Sequence, residues 1–262
     1  MRAHLVQLDI TWEQPKPNFR RVEELLGTTD IQPEDLILLP EMFATGFSLR
    51  TDITADMHGE TLGFLQRLAR QHGCFVQGGR TIREAGAEKA SNLMTVTNPA
   101  GEVVCEYAKI HPFSFGLEPE HFVGGERVEA WTWRAESIDC AVCPAVCYDL
   151  RFPELFRIGA SRGAEVFALG ACWPAARQTT WRALTIARAL ENQACVLAVN
   201  RAGSDPHLHY AGGTIAVGPK GEVLGELDDT EGVLSIELDI CALRSWREHF
   251  PALKDLRLRE IR

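Results

Sequence analysis

Three apolar runs of the sequence each end in a side chain that can take part in acid–base or nucleophilic chemistry. The first run leads through Pro40 to Glu41, which is followed by Met42 and Phe43 instead of polar loop residues. A carboxylate among apolar neighbours has a raised pKa and suits general-base catalysis near neutral pH. Lys109 ends the second run, before an aromatic loop, and could supply a fixed positive charge to an oxyanion there.

The third run, Ile138–Val146, ends in Cys147, just before a turn and a helix that we expect to begin near Pro153. A thiol near a helix N-terminus has a lowered pKa and is the more nucleophilic for it. Taken alone, each of the three residues has an ordinary structural explanation. Most cysteines of a reduced protein are small buried hydrophobes, and most lysines and carboxylates are solvated. Only the combination indicates catalysis.

Other chemistries that these residue types could serve are disfavoured by their spacing. Cys140 and Cys143 form a C-x-x-C pair, but a structural zinc site needs four ligands and the sequence contains no second pair. The two thiols also belong to opposite faces of one strand. The sequence has no G-x-S-x-G motif of a serine hydrolase, and its glycine pairs lack the spacing of a phosphate or dinucleotide loop. We therefore predict neither a metal nor a cofactor.

The elements that must position these side chains alternate between short apolar strands and amphipathic helices. Asn98–Gly101 is predicted to be a hairpin turn, and Arg177–Gln193 a long helix that buries Ile186, Ala189 and Leu190. No Ser-, Gly- or Pro-rich linker divides the chain, so we predict one α/β domain over residues 1–262. Within it, residues 241–262 form a C-terminal arm without a strand, suited to contacting a partner. The alternation alone fits a (β/α)8 barrel nearly as well as a sandwich.

Composition and charge restrict the function classes. The chain has 262 residues, 45% of them hydrophobic and 24% charged, which is ordinary for a soluble globular protein. Thirty-six acidic against 27 basic residues give a formal net charge of −9, which argues against a nucleic-acid-binding surface. The longest uncharged apolar runs, such as Val166–Ala171, are far shorter than the roughly 20 residues of a membrane span. Since the N-terminus has no secretory signal, we expect a cytoplasmic protein whose eight cysteines are reduced.

With these residues in the order Glu, Lys, Cys, the sequence resembles the nitrilase superfamily of carbon–nitrogen hydrolases over nearly the whole chain. The resemblance is carried by PEMFATGF at Pro40–Phe47, YAKIHPF at Tyr107–Phe113, CYDLRFPELFR at Cys147–Arg157 and ARALENQACVLAVNRAG at Ala187–Gly203. PEMFATGF together with EHFVGG at Glu120–Gly125 is most similar to the omega-amidase branch. That branch hydrolyses the terminal amide of 2-oxo-dicarboxylic acid monoamides, such as 2-oxoglutaramate and 2-oxosuccinamate, and releases ammonia.

The resemblance implies a role for each reactive residue. Cys147 would be the nucleophile that attacks the amide carbonyl. Glu41 would take the thiol proton, protonate the departing ammonia and later activate water. Lys109 and the backbone N–H of Tyr148 would hold the oxyanion. A covalent intermediate of this kind divides a resistant hydrolysis into acylation and deacylation.

The resemblance also implies a second glutamate and a substrate pocket. Many members have another glutamate in the loop after the lysine, and Glu120 is the best match, with Glu118 as the alternative. The walls of the pocket would be formed by Phe43, Phe113, Tyr148 and Trp173.

The expected architecture is a four-layer α-β-β-α sandwich that pairs into a homodimer and binds a small amide. A carboxylate at the far end of the substrate would require a second cation, for which Arg151 and Arg177 are the candidates. Two alternatives stay open. One is another amidase of the superfamily, acting on deaminated glutathione or an N-carbamoyl compound. The other is a non-catalytic binding member.

Overall fold

The computed structural model of the chain describes residues 1–135 and 137–257. The strands of these residues are β1 (Arg2–Gln7), β2 (Leu36–Leu38), β3 (Phe75–Ile82), β4 (Ala90–Thr97), β5 (Val103–Ala108), β6 (Phe122–Val123), β7 (Trp131–Ala135), β8 (Ile138–Val146), β9 (Val166–Ala171), β10 (Cys195–Asn200), β11 (Ala202–Ser204), β12 (His209–Ala211), β13 (Ile215–Val217), β14 (Val223–Glu226) and β15 (Gly232–Glu237). The α-helices are α1 (Pro15–Gly27), α2 (Thr51–Thr54), α3 (Glu60–His72), α4 (Glu118–His121), α5 (Pro153–Ser161), α6 (Gln178–Asn192) and α7 (Ile240–His249).

The longer strands form two open sheets. The first has the order β15-β1-β2-β3-β4-β5, with β6 added to β4, and the second has the order β14-β13-β10-β9-β8-β7. Parallel pairs lie at the centre of each sheet, β1-β2-β3 in the first and β8-β9-β10 in the second, and antiparallel pairs lie towards the edges. Neither sheet closes on itself, so the fold is not a (β/α)8 barrel.

The two sheets pack face to face through alternate side chains of their strands. Leu5 and Leu38 of the first sheet belong to the same buried cluster as Val142 and Leu197 of the second. Gln77 adds a polar link, since its side-chain amide donates to the backbone carbonyl of Ala168, 2.9 Å away. Each fully buried side chain of this size contributes about 1.5–3 kcal/mol to the free energy of unfolding.

Helices cover the outer face of each sheet. On the first sheet, Phe19 of α1 stacks on Phe64 of α3 with 4.3 Å between ring centroids. On the second sheet, Phe156 of α5 and Trp181 of α6 pack over β8, β9 and β10. The layers therefore follow the order helix, sheet, sheet, helix, which confirms the predicted α-β-β-α sandwich.

The structure agrees with the predicted hairpin turn but not with all of the predicted buried face of α6. β4 and β5 pair antiparallel around the predicted turn at Asn98–Gly101. The prediction that Leu190 is buried is wrong, because half of its surface is exposed. The buried face of α6 runs through Thr185, Arg188 and Ala189, and Leu190 lies about 140° around the axis from Thr185 and about 100° from Ala189.

The C-terminal segment docks on its own chain through α7. Ile240 and Leu243 are buried in the cluster between the sheets, and the Arg244 guanidinium binds the Glu165 carboxylate at 2.7 Å. Residues 258–262 of the predicted arm lie outside the described residues. Among the residues that the structure describes, no helix combines the length and the apolar character that crossing a membrane requires.

Candidate active site

Three strand ends carry the side chains on which the sequence prediction depends. Lys109 follows the last residue of β5 and Cys147 follows the last residue of β8, while Glu41 lies three positions beyond the end of β2. The Lys109 ammonium binds the Glu41 carboxylate at 2.9 Å. Lys109 and Cys147 line one cavity, so the structure brings these three predicted residues into one site.

Glu41 lies on a tight turn that needs close approach of backbone from both sheets. Met42, directly after it, has a left-handed backbone conformation with φ of 44°. A Cβ on Gly79 would lie 2.7 Å from the Cα of Glu41, and one on Gly170 would lie 3.0 Å from its backbone nitrogen. The two glycines therefore leave the space that this turn occupies.

Three donors fix the orientation of the Glu41 carboxylate, which has no exposed surface. Its Oε1 accepts from the Lys109 ammonium at 2.9 Å and from the Asn92 amide at 2.7 Å. Its Oε2 accepts from the backbone N–H of Cys172 at 2.9 Å. Asn92 lies on β4 and has no sequence pattern that would have predicted it.

Glu118, and not Glu120, is the second glutamate of the cluster. Glu118 is fully buried, and its two oxygens accept from the Lys109 ammonium at 3.0 and 2.7 Å. The prediction of Glu120 is therefore wrong as to position, because that residue is exposed. Both belong to α4, where two positions of sequence separate side chains by about 200° around the axis. Only one of them can face Lys109.

The two carboxylates determine the charge state of the buried lysine. Burial opposes a charge on Lys109, but Glu41 and Glu118 together raise its pKa above the ordinary lysine value. Lys109 therefore stays an ammonium at neutral pH and can act as a fixed positive charge.

Cys147 begins a single 3-10 turn, Cys147–Arg151, in a left-handed backbone conformation with φ of 43°. The expectation of a lowered thiol pKa is wrong. Burial raises the pKa of Cys147 well above its ordinary value, and the neighbouring Glu41 carboxylate raises it further against the opposing effect of Lys109. At neutral pH the resting side chain is therefore the thiol.

The turn that presents Cys147 is held by Asp149, which the sequence prediction did not assign to the site. The buried Asp149 carboxylate accepts from the Tyr107 hydroxyl at 2.7 Å and from the backbone N–H of Val146 at 3.0 Å. It also binds the ring Nδ1 and the backbone N–H of His111, at 2.8 and 3.1 Å. These contacts tie the residues around Cys147 to the segment that carries Lys109.

The cavity has a volume of about 600 Å³, and its lining contains three of the predicted wall residues, Phe113, Tyr148 and Trp173. Phe43, the fourth, packs instead against both Phe19 and Phe64 in the outer helical layer of the first sheet. Its prediction as a substrate contact is wrong because the turn at Met42 directs the side chain away from the cavity.

Two arginines bring positive charge to the cavity without a carboxylate partner. The Arg151 guanidinium lies over the ring of Trp173 at 5.1 Å, and the Arg177 guanidinium lies over the ring of Phe113 at 5.4 Å. Within residues 1–135 and 137–257, neither guanidinium forms an ion pair or a hydrogen bond. Asp205 also lines the cavity, but its carboxylate accepts from the Tyr210 hydroxyl at 2.6 Å and from two backbone N–H groups.

The C-x-x-C pair has a structural explanation. Cys140 is buried between the sheets, whereas Cys143 is buried under the helices on the other face of β8. No group of three or more His, Cys, Asp and Glu side chains in the described part of the chain could hold a metal ion.

Comparisons with known proteins agree with this geometry. The sequence profile of the family described as carbon-nitrogen hydrolase matches residues 2–248. The chain belongs to the carbon-nitrogen hydrolase family. It is 32% identical over 254 residues to the 2-oxoglutaramate amidase of Bacillus subtilis (strain 168), covering 96% of each chain. It is 33% identical over 261 residues to the omega-amidase YafV of Escherichia coli (strain K12), covering 97% of this chain and 96% of the relative.

A solved structure extends the comparison to three dimensions. The CN-hydrolase superfamily protein XC1258 from Xanthomonas campestris, which carries an arsenic adduct in its active site, superposes with a TM-score of 0.88. It is 31% identical, and the match covers 100% of this chain and 99% of that one. The family and the fold predicted from the sequence are both confirmed. The chain is thus a carbon–nitrogen hydrolase whose cavity combines a buried thiol with a carboxylate–ammonium cluster.

Proposed function

We propose that the chain is an omega-amidase, which hydrolyses the terminal amide of 2-oxo-dicarboxylic acid monoamides such as 2-oxoglutaramate and 2-oxosuccinamate. One observation carries the proposal. The cavity that contains Cys147 also contains two guanidinium groups, of Arg151 and Arg177, that have no acidic partner in the described part of the chain. An amide with a carboxylate at its other end matches both features at once.

The proposed reaction begins with a thiol, because the pKa of Cys147 is raised. The Cys147 sulfur attacks the amide carbon while its proton passes to the Glu41 carboxylate. The carbonyl oxygen becomes an oxyanion that the Lys109 ammonium and the backbone N–H of Tyr148 stabilise. The N–H of Tyr148 is available for this role, since it belongs to the first turn of a 3-10 helix and has no acceptor within that turn.

Collapse of the tetrahedral intermediate breaks the carbon–nitrogen bond. The proton held by Glu41 goes to the leaving nitrogen, and ammonia departs from a thioester on Cys147. Glu41 then takes a proton from a water molecule that attacks the thioester, and the second collapse releases the dicarboxylate and restores the thiol. Glu118 touches Lys109 but not the reacting atoms, so its role is to position the ammonium.

The charge of the cavity favours this substrate class over neutral amides. Arginine presents a planar fork of N–H donors that fits a carboxylate. A neutral amide of the same length would leave these half-buried donors without a partner, and sites of this kind discriminate strongly against such ligands. The names of the Bacillus and Escherichia relatives support the same choice.

The test is ammonia release from a panel of 2-oxoglutaramate, succinamate, butyramide and an aliphatic nitrile. We expect kcat/KM for succinamate to exceed that for butyramide by at least about 10²-fold. Preference for a deaminated-glutathione or N-carbamoyl substrate, or equal rates with succinamate and butyramide, would replace the omega-amidase proposal with one of the alternatives.

A matched pair of cysteine variants tests the nucleophile. Cys147→Ala should abolish turnover of every substrate with an unchanged circular dichroism spectrum. Cys143→Ala, which removes a thiol buried under the helices on the outer face of the second sheet, should retain most of the activity. Near-normal turnover by Cys147→Ala would show that the chain either uses another nucleophile or only binds its ligand.

The homodimer, the single domain over residues 1–262 with its C-terminal arm at 241–262, and the cytoplasmic location remain proposals. Docking of α7 on Glu165 through Arg244 supports counting the helical part of the arm with the rest of the domain. Light scattering of the purified full chain and of a chain ending at Phe250 would test the dimer and the role of the arm together.

A further inference from the structure

The two cavity arginines differ in their surroundings. Arg177 is the residue directly before α6, a helix of 15 residues whose first turn has no side-chain cap and no acidic residue. The N-terminus of such a helix carries a partial positive charge that adds to that of the guanidinium. Arg151 instead ends the 3-10 turn that contains the buried Asp149 carboxylate. The helix N-terminus therefore adds positive charge beside Arg177, whereas Asp149 adds negative charge to the turn that carries Arg151.

Two aromatic rings lie beside the Arg177 guanidinium. Its central carbon lies 5.4 Å from the ring centre of Phe113 and 5.5 Å from that of Phe115. The guanidinium forms no hydrogen bond within the described residues, so its N–H groups are available for two parallel hydrogen bonds to a carboxylate. Phe115 is 81% exposed although it lines the cavity, so it forms the outer wall.

Phe113 also connects this arginine to the reacting centre. Its backbone N–H donates to the Glu118 carboxylate at 2.5 Å, and Glu118 in turn binds the Lys109 ammonium at 2.7 Å. Its ring lies 5.0 Å from the ring of Tyr148, the residue after the nucleophile. Phe113 is therefore linked to both groups that are proposed to stabilise the oxyanion, the Lys109 ammonium and the backbone N–H of Tyr148. A ligand that holds Arg177 over Phe113 would help to order both.

We propose that Arg177 is the specificity-determining residue of this site, which binds the substrate's carboxylate and couples it through Phe113 to Glu118 and Lys109. The inference rests on the proposed omega-amidase function and adds to it the residue that selects the substrate. A carboxylate bound to Arg177 raises kcat as well as lowering KM, because the same contact orders the oxyanion site.

The experiment measures a discrimination ratio, kcat/KM for succinamate divided by kcat/KM for butyramide. In Arg177→Gln this ratio should fall by about 10²-fold relative to the wild type, with a loss in kcat for succinamate as well as a rise in its KM. Arg177→Lys should recover only part of the ratio, because it restores the charge but not the planar fork. Arg182→Gln is the matched control, since Arg182 lies on the same helix and already pairs with Glu226 at 3.0 Å. Its ratio should equal that of the wild type.

Chemical rescue separates a binding role from a structural one. Added ethylguanidinium should restore succinamate turnover in Arg177→Ala and have no effect on butyramide turnover. A ratio in Arg177→Gln within about 3-fold of the wild type would overturn the inference, and so would collapse of the ratio in Arg151→Gln with retention in Arg177→Gln. A wild-type enzyme without any preference for succinamate would instead overturn the proposed function itself.

Discussion

The Glu118→Gln substitution removes one negative charge from the buried cluster and leaves its volume almost unchanged. The two oxygens of Glu118 accept from the Lys109 ammonium, from the Asn92 amide at 3.0 Å and from the backbone N–H of Phe113 at 2.5 Å. Every one of these partners is a donor. A glutamine keeps one acceptor oxygen, and in either orientation its own NH2 group would face N–H donors.

The magnitude follows from the burial of the ion pair. Removing one partner of a buried pair costs about 3–5 kcal/mol in the free energy of unfolding. Lys109 keeps Glu41 at 2.9 Å, so we expect the lower end, about 3 kcal/mol. If the same misplacement of Lys109 is felt in the transition state, kcat/KM falls by about 10²-fold, since a tenfold change in rate corresponds to about 1.4 kcal/mol.

The assay compares Glu118→Gln with Glu120→Gln, two positions away on the same short helix. Urea unfolding and ammonia release from succinamate are measured for both variants. Glu120 is exposed, so its substitution should change the free energy of unfolding by less than about 0.5 kcal/mol and the activity by less than about 2-fold. An inactive Glu120→Gln beside an active Glu118→Gln would refute the reasoning, and equal losses in both variants would do the same.

Two further predictions follow from the backbone and from the thiols. Gly79→Ala should lower kcat/KM by at least about 10-fold, because its Cβ would displace the turn that carries Glu41, the proposed general base. Gly27→Ala, which meets no heavy atom within 4 Å, should keep wild-type activity. The melting temperature should fall as pH rises above about 8.5, because the unfolded chain then releases thiol protons that the folded chain retains; a melting temperature that is flat to pH 10 would contradict it. Burial raises the pKa of seven thiols, those of Cys74, Cys105, Cys140, Cys143, Cys147, Cys172 and Cys195.

The sequence predicted the parts of the site that strands determine. The apolar runs that end in Lys109 and Cys147 are visible in the sequence. In the structure each of these two residues directly follows a strand, so the end of the strand determines its position. The order of Glu41, Lys109 and Cys147 added the family resemblance. Glu41 and Lys109 follow strands of the first sheet, β2 and β5, whereas Cys147 follows β8 of the second, and these strand ends meet because the two sheets pack face to face.

The wrong or missed predictions concern residues whose positions no strand or helix periodicity determines. Met42 has a positive φ, so the alternation of a strand cannot be continued from Glu41 to Phe43, and that ring turns into the helical layer. Glu118 and Glu120 fit the family motif nearly equally, and only the start of a four-residue helix decides which one faces inward. Asn92 contacts Glu41 across 51 positions of sequence, and a contact of that length leaves no local pattern.

The raised pKa values of Cys147 and Lys109 have a common consequence for the chemistry. Burial and the Glu41 carboxylate keep the Cys147 thiol protonated against the opposing effect of Lys109, while Glu41 and Glu118 keep the lysine charged. In the proposed mechanism the site therefore rests with its nucleophile, Cys147, neutral and its oxyanion donor, Lys109, positive, and a thiolate is formed only when a proton can pass to Glu41. We therefore expect an alkylating agent to react slowly with the Cys147 thiol of the resting enzyme. An amide whose carbonyl oxygen lies against Lys109 meets the thiol, the base and the positive charge together, and that coincidence restricts the reaction to bound substrate.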